Sequence, residues 1–291
     1  MTLYGFLAMS VGGGLGMYFA VGFAFEWLYY RRRRADAASW KCQPRRFPTP
    51  ALWRRDILLG SANLLVASLA SGLVAHDIAT ANHSAVYLDF SRHGLAFSLM
   101  TTLVYFLVTD AALYFAHRLY HRPALFRAIH LVHHRNTTPT AFTSAAVHPV
   151  EFFTYQAIMM APIYVLPMHV GGLIFVLVFQ HWVALLDHSG VRLRSLLPWQ
   201  PPPQFHDDHH RHFHVNYGQN LGLWDRLFGT WRRHNRRYGE DVFGGAGAPL
   251  AGAGADAAGS APMIDYGVRG DAAREPDRDP GSAPARDART A

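Results

Sequence analysis

Cysteine and lysine are almost missing from this 291-residue chain, which has one of each, Cys42 and Lys41, against 18 histidines. A lone thiol excludes an intrachain disulfide and any cysteine-built zinc or iron–sulfur site within one chain. Charge is scarce as well, at 16% of residues, where soluble proteins carry about 25%. Half of the chain is apolar, so the deficit points to contact with lipid. A net charge of +7 would suit nucleic acid, but the arginines sit beside apolar segments, where they orient a chain in a membrane. A nucleic-acid partner is not expected.

The apolar segments set out a topology. Leu3 to Tyr30 is nearly free of charge and ends in Arg31-Arg32-Arg33-Arg34, long enough to cross a bilayer, which takes about 20 apolar residues. The basic run follows the apolar stretch instead of preceding it, so the segment reads as an uncleaved anchor and not as a signal peptide. By the positive-inside rule these arginines, with Lys41, Arg45, Arg46, Arg54 and Arg55, place the segment after the first span in the cytoplasm. A second apolar run, Ile57 to Ala75, goes out, His76 to Arg92 forms an external loop, and Gly94 to Ala116 comes back in. Val150 to Leu186 contains Pro162, Pro167 and Gly171-Gly172 near its middle and reads as a hairpin of two helices, with both ends on one side. The expected fold is all-α: an integral membrane helical bundle with a histidine-rich di-metal site at its cytoplasmic face. Residues 1–93 form the anchor region, 94–240 the catalytic domain, and 241–291 a tail too poor in large apolar residues to pack. In a bacterium the membrane would be the plasma or inner membrane.

Imidazole is the abundant chemistry. His117 and His121 stand four residues apart at the inner end of the third span, on one helix face. His130, His133 and His134 follow, and His206, His209 and His210 repeat their spacing. His148 and His188 flank the hairpin at the same membrane face. These ten candidates exceed what one ion accepts, since zinc takes about four ligands, so two metals are implied. Imidazole suits zinc, copper, iron or nickel, and the residue type alone does not choose. Asp110 and Tyr114 precede His117 on roughly its own face, and Asp110, costly within a span, is read as the acceptor that orients a ligand imidazole. Asp207, Asp208, His181, His212 and His214 lie close to the clusters with their roles open.

The motifs resemble the fatty acid hydroxylase and sterol desaturase superfamily. The likeness rests on HxxxH, HxxHH and HxxHH in that order. It extends to Asp110, Tyr114 and Arg118 around the first pair, to His148-Pro149-Val150-Glu151, to His188-Ser189-Gly190, and to Asn216-Tyr217-Gly218 with Leu223-Trp224-Asp225-Arg226-Leu227-Phe228-Gly229-Thr230. It covers roughly Leu95 to Trp231. The resemblance implies a di-iron enzyme holding two Fe2+ ions, with O2 as co-substrate, that hydroxylates or desaturates a membrane lipid, whether sterol-like, carotenoid or fatty acyl. It also implies an external electron donor, because no cytochrome b5-like region, ferredoxin cysteine set or dinucleotide fingerprint occurs in the chain. Arg118, Arg122, Arg127, Arg135 and Arg211 are candidates to steer that separate electron-transfer protein. One departure is Ala184, where some hydroxylases have the first histidine of a second HxxxH pair ending at His188; the His-Pro motif leans toward the sterol desaturase branch. Two other readings use the same clusters: a zinc-dependent membrane hydrolase, and a non-enzymatic metal transporter or sensor. A transporter would place its ligands along the bilayer midplane, whereas these crowd one face.

Overall fold

The computed structural model describes residues 1–195, 197–250 and 262–266. Six principal helices carry the architecture: α1 (Leu3–Phe25), α2 (Pro50–Thr80), α3 (Gly94–Tyr120), α4 (Pro149–Met160), α5 (Val170–Asp187) and α6 (Pro203–His212). Among the described residues, four helical segments are long and apolar enough to cross a membrane: Leu3–Arg31, Pro50–Thr80, Gly94–Tyr120 and Val170–Asp187. Their outward faces are greasy, with Leu99, Leu103 and Val108 on α3 and Ile174, Phe175 and Val178 on α5 each more than half exposed. Water would make such a band costly, and a bilayer makes it favourable.

Helix α2 starts where its sequence says it should. Thr49 Oγ1 accepts from Leu52 N and Pro50 occupies the first turn, where a missing N–H costs nothing. The helix runs for 31 residues, about 46 Å at 1.5 Å per residue, and extends at both ends past the expected Ile57–Ala75 span. That length exceeds a hydrocarbon core of about 30 Å. Its first two turns, with Arg54, Arg55 and Asp56, therefore belong to the layer that holds the histidines. Helix α1 packs along α2, closely enough that a Cβ on Gly72 would lie 2.9 Å from the Leu7 backbone.

The hairpin reverses at Ala161–Tyr164, a 3₁₀ turn carrying Pro162, and at Met168–His169, which pairs in parallel with Val86–Tyr87 of the α2–α3 connection. The Gly171-Gly172 pair does not make this reversal. Gly172 lies in the first turn of α5, and a Cβ there would meet Thr102 Oγ1 at 2.0 Å, so its small size lets α5 pack on α3. The far end of the bundle is thus clasped by backbone pairing and the near end is free to gather ligands.

Asp56 ties the near end together. Fully buried, it accepts from Asn136 Nδ2 (2.8 Å), Thr143 Oγ1 (2.9 Å) and Arg55 Nη1 (3.0 Å). Tyr18 reinforces the junction by donating to Phe142 O at 2.9 Å. The segment from 241 onward, expected to stay unpacked, departs from that expectation where it is described. Tyr266 donates to Asp208 Oδ2 at 2.7 Å, and Ile264 and Tyr266 join Phe205 and Trp231 in a small core. A few large residues in a weakly apolar tail suffice when they meet a preformed aromatic surface. Residues 251–261 and 267–291 of that tail lie outside the described residues.

Removing the Asp56 carboxylate strands two buried donors. Asp56→Ala is expected to cost roughly 1–3 kcal/mol, read as a lower midpoint of unfolding in detergent with helical content retained. An unchanged midpoint would refute the role given to this network.

Candidate metal centre

The third span delivers His117 and His121 in its last turn. The chain then turns at Pro123 and returns through Pro123–Leu125, a π-helical turn Phe126–His130 and Leu131–His134, which brings His130, His133 and His134 back under α3. His188 caps the C-terminus of α5, and α6 supplies His206, His209 and His210.

Nine imidazoles converge in two groups. One ring nitrogen of each of His117, His121, His130, His134 and His209 lies within 4.8 Å of the others, and His133, His188, His206 and His210 form the second group by the same measure. None of the nine is more than 7% exposed. Each HxxHH is divided between the groups: the i and i+4 residues go to one and the i+3 residue to the other. A helix rotates about 100° per residue, so i+3 and i+4 diverge by that angle and can serve neighbouring ions.

The orientation of the rings is informative. His117 Nδ1 donates to Tyr217 O (2.8 Å), His209 Nδ1 to Val215 O (2.6 Å), His210 Nδ1 to Asn136 O (2.9 Å) and His188 Nδ1 to Ala184 O (2.7 Å). His130 Nδ1 meets the buried Glu151 Oε1 at 2.7 Å. With their protons on Nδ1, these rings present bare Nε2 lone pairs inward. His117 Nε2 and His130 Nε2 are 3.2 Å apart, His134 Nε2 and His130 Nε2 3.1 Å, and His206 Nε2 and His188 Nε2 2.9 Å. Two neutral rings held this way set lone pair against lone pair, an arrangement that a cation between them would turn favourable. Metal–imidazole bonds of about 2.0–2.1 Å at right angles set neighbouring nitrogens roughly 3 Å apart, and the residues present therefore fit two metal ions.

Burial keeps the ligands neutral. It pushes the pKa of His121, His133, His134, His206, His209 and His210 well below the ordinary imidazole value, with neighbouring imidazoles adding to the effect. Burial likewise lowers His188 to about 4. A neutral imidazole is the form that binds metal.

Several expected residues are placed differently. His148, expected among the ligands, joins neither group: its Nδ1 accepts from Val150 N at 3.2 Å and caps α4. Asp110 touches no imidazole. Its carboxylate accepts from Asn220 N, Asn220 Nδ2 and Trp224 Nε1 at 2.7–3.2 Å, so it orients the loop after α6 and not a ligand ring. The Tyr114 hydroxyl pairs with Thr230 Oγ1 at 2.9 Å. Asp207 receives Gln43 Nε2 and burial raises its pKa to about 6, while Asp208 pairs with Arg232 at 2.7 Å. The carboxylate that does orient a ligand is Glu151. Its sequence signal was a Glu at the start of an apolar stretch, beside the His-Pro pair, but nothing in the spacing tied it to His130.

The family described as "Fatty acid hydroxylase" matches residues 102–230. The chain is 33% identical over 153 residues to the Delta(7)-sterol 5(6)-desaturase ERG3 of Saccharomyces cerevisiae, covering 52% of this chain and 42% of that protein. It is 34% identical over 147 residues to a Delta(7)-sterol 5(6)-desaturase of Candida glabrata, covering 50% and 40%, and 33% identical over 132 residues to human fatty acid hydroxylase domain-containing protein 2, covering 45% and 38%. The aligned stretch thus spans less than half the length of these relatives. No solved structure matches the chain.

Losing an orienting partner typically lowers metal affinity by about 10–100-fold. Glu151→Ala is expected to do so, whereas His148→Ala should leave two ions bound, both read by metal analysis of purified protein. Equal metal content in the two variants would contradict the geometry. A pH effect follows from His188: its folded value of about 4 lies below the 6.5 of a free imidazole, so the unfolded chain takes the proton first. The stabilisation is fully present above that free value and drains away as pH falls toward the folded one. Metal-stripped protein should therefore lose thermal stability on acidification through this window, and a flat profile would argue against neutral buried ligands.

Proposed function

We propose that the chain, whose residues 102–230 match the fatty acid hydroxylase family and resemble sterol desaturases, is a membrane-bound non-haem di-iron oxidoreductase that uses O2 to hydroxylate or desaturate a lipid. The observation that carries this reading is the pair of buried imidazole groups whose ring nitrogens converge. His117, His121, His130, His134 and His209 would hold one iron and His133, His188, His206 and His210 the other. Bound there, the irons with O2 would supply the oxidising power that an unactivated C–H bond demands.

The chain's own residues do the rest. Carbonyls of Tyr217, Val215, Asn136 and Ala184 and the carboxylate of Glu151 fix the rings before any ion arrives. Such pre-set rings need little reorganisation. Burial of all nine side chains excludes water from the centre, which protects a strong oxidant from side reactions. The apolar faces of α3 and α5 border the site and suit an acyl chain or ring system arriving from the bilayer. The histidines lie at the end of the bundle that carries Arg31 to Arg34 and Arg55, the last of which donates to Val132 O at 2.7 Å, and the positive-inside rule makes that end cytoplasmic. Electrons would come from a separate carrier, for which the arginines around the site provide a positive approach. A sterol-like substrate is favoured by the relatives' names, with carotenoid and fatty acyl chains as the other classes.

The test compares lipid extracts of cells expressing the active chain with those expressing His133→Ala. The expected result is a lipid gaining one oxygen or losing two hydrogens only with the active chain, together with two irons per purified protein. Zinc in place of iron, with O2 consumption absent and an ester or amide cleaved, would overturn the proposal in favour of a hydrolase.

A further inference from the structure

The chain leaves α6 through a conformation few residues adopt. Phe213 has φ 64° and ψ −82°, and His214 N donates back to His212 O at 3.0 Å. This is a γ-turn with positive φ, a rare and strained reversal that persists only where its surroundings enforce it.

The reversal sends the next residues back along the first histidine group. Val215 O then receives His209 Nδ1 at 2.6 Å, and Tyr217 O receives His117 Nδ1 at 2.8 Å. Tyr217 packs its ring on His121 at 4.8 Å, and His214 is the side chain in this run that hydrogen-bonds a ligand: its Nδ1 is 2.9 Å from His121 Nδ1, and its Nε2 is 2.9 Å from Glu240 O. A carbonyl can only accept, so the His214 proton sits on Nε2 and its Nδ1 is left as an acceptor. The proton between the two Nδ1 atoms therefore belongs to His121, whose bare Nε2 is turned toward His117 Nε2, 3.3 Å away. The His214 ring is itself clamped, 3.9 Å from the Phe243 ring and 4.7 Å from Phe126.

We infer that His214 is a positioning residue for the five-histidine group, holding His121 in its metal-binding tautomer, and that the segment Glu240–Phe243 sets His214 in turn. The inference rests on the metal-binding reading of the two groups. It makes the post-α6 reversal a collar that orients three of the five ligands, two through carbonyls and one through a replaceable side chain.

The experiment is a cobalt titration of metal-stripped full-length protein in detergent, followed by the visible bands of the bound ion. It uses the parent chain, His214→Phe and His214→Gln. The parent should bind at two sites. His214→Phe keeps an aromatic ring for Phe243 but offers no acceptor, and should weaken one of the two sites by about 10–100-fold while the other titrates as before. His214→Gln can accept from His121 and donate to Glu240 O, and should stay within a few fold of the parent. A parent that binds no cobalt would remove the metal reading and this inference with it. A His214→Phe protein that titrates like a parent binding two ions, one whose two sites weaken equally, or a His214→Gln protein as weak as His214→Phe would each overturn the inference alone.

Discussion

Everything near this site answers one electrostatic problem: ring nitrogens of nine imidazoles crowded together in a dry interior. His117 Nε2 and His130 Nε2 face each other at 3.2 Å with both protons committed elsewhere. In water such rings would rotate or take up protons. Here burial disfavours protonation, and hydrogen bonds on the opposite nitrogen of His117, His121, His130, His188, His209 and His210 prevent rotation. The arrangement is held by the bundle against its own repulsion, and a cation in each group would turn that repulsion into attraction. The buried Asp56 network, the α1–α2 packing and the collar after α6 can all be understood as the scaffold that resists it.

Placement at the end of the bundle follows from the same problem. Backbone within a bilayer must satisfy its own hydrogen bonds, so the spans are helical and have few spare carbonyls. Three of the orienting acceptors come from irregular backbone, Asn136 after the second cluster and Val215 and Tyr217 after the third, while Ala184, in the last turn of α5, shares its carbonyl between the His188 backbone N–H and the His188 ring. Helix termini leave carbonyls free, and ligands therefore collect where spans end. The far end, with no ligands to orient, closes on a two-residue pairing between Val86–Tyr87 and Met168–His169.

Much of this was legible in the sequence because helical period is a strong signal. The spans, the hairpin and the ring-bearing positions His117, His121, His130, His133, His134, His188, His206, His209 and His210 can be placed from apolar runs and i, i+3, i+4 spacing. What packs opposite a face has no such period. Asp110 lies on the expected side of α3, yet it meets Asn220 and Trp224 and no imidazole, since the loop after α6 covers it. His148 precedes a proline at a helix start, a position where a side-chain acceptor is worth more as a cap than as a ligand. Glu151, about one turn later, is fully buried against His130. Tail residues Ile264 and Tyr266 were invisible because a packing surface on Phe205 and Trp231 exists only after folding.

The departure at position 184 becomes a structural asymmetry. The two groups are built on one plan, in which an HxxHH gives two rings to one group and one ring to the other. To this plan α3 adds a pair, His117 and His121, whereas α5 adds His188 alone. The place four residues before His188 belongs to Ala184, which contributes its carbonyl to the His188 ring instead of a ring of its own. The chain thus commits five imidazoles to one group and four to the other. Were two ions bound, these unequal donor sets would hold them with unequal affinity. By that argument the asymmetry between the two groups arises from a single small residue on α5.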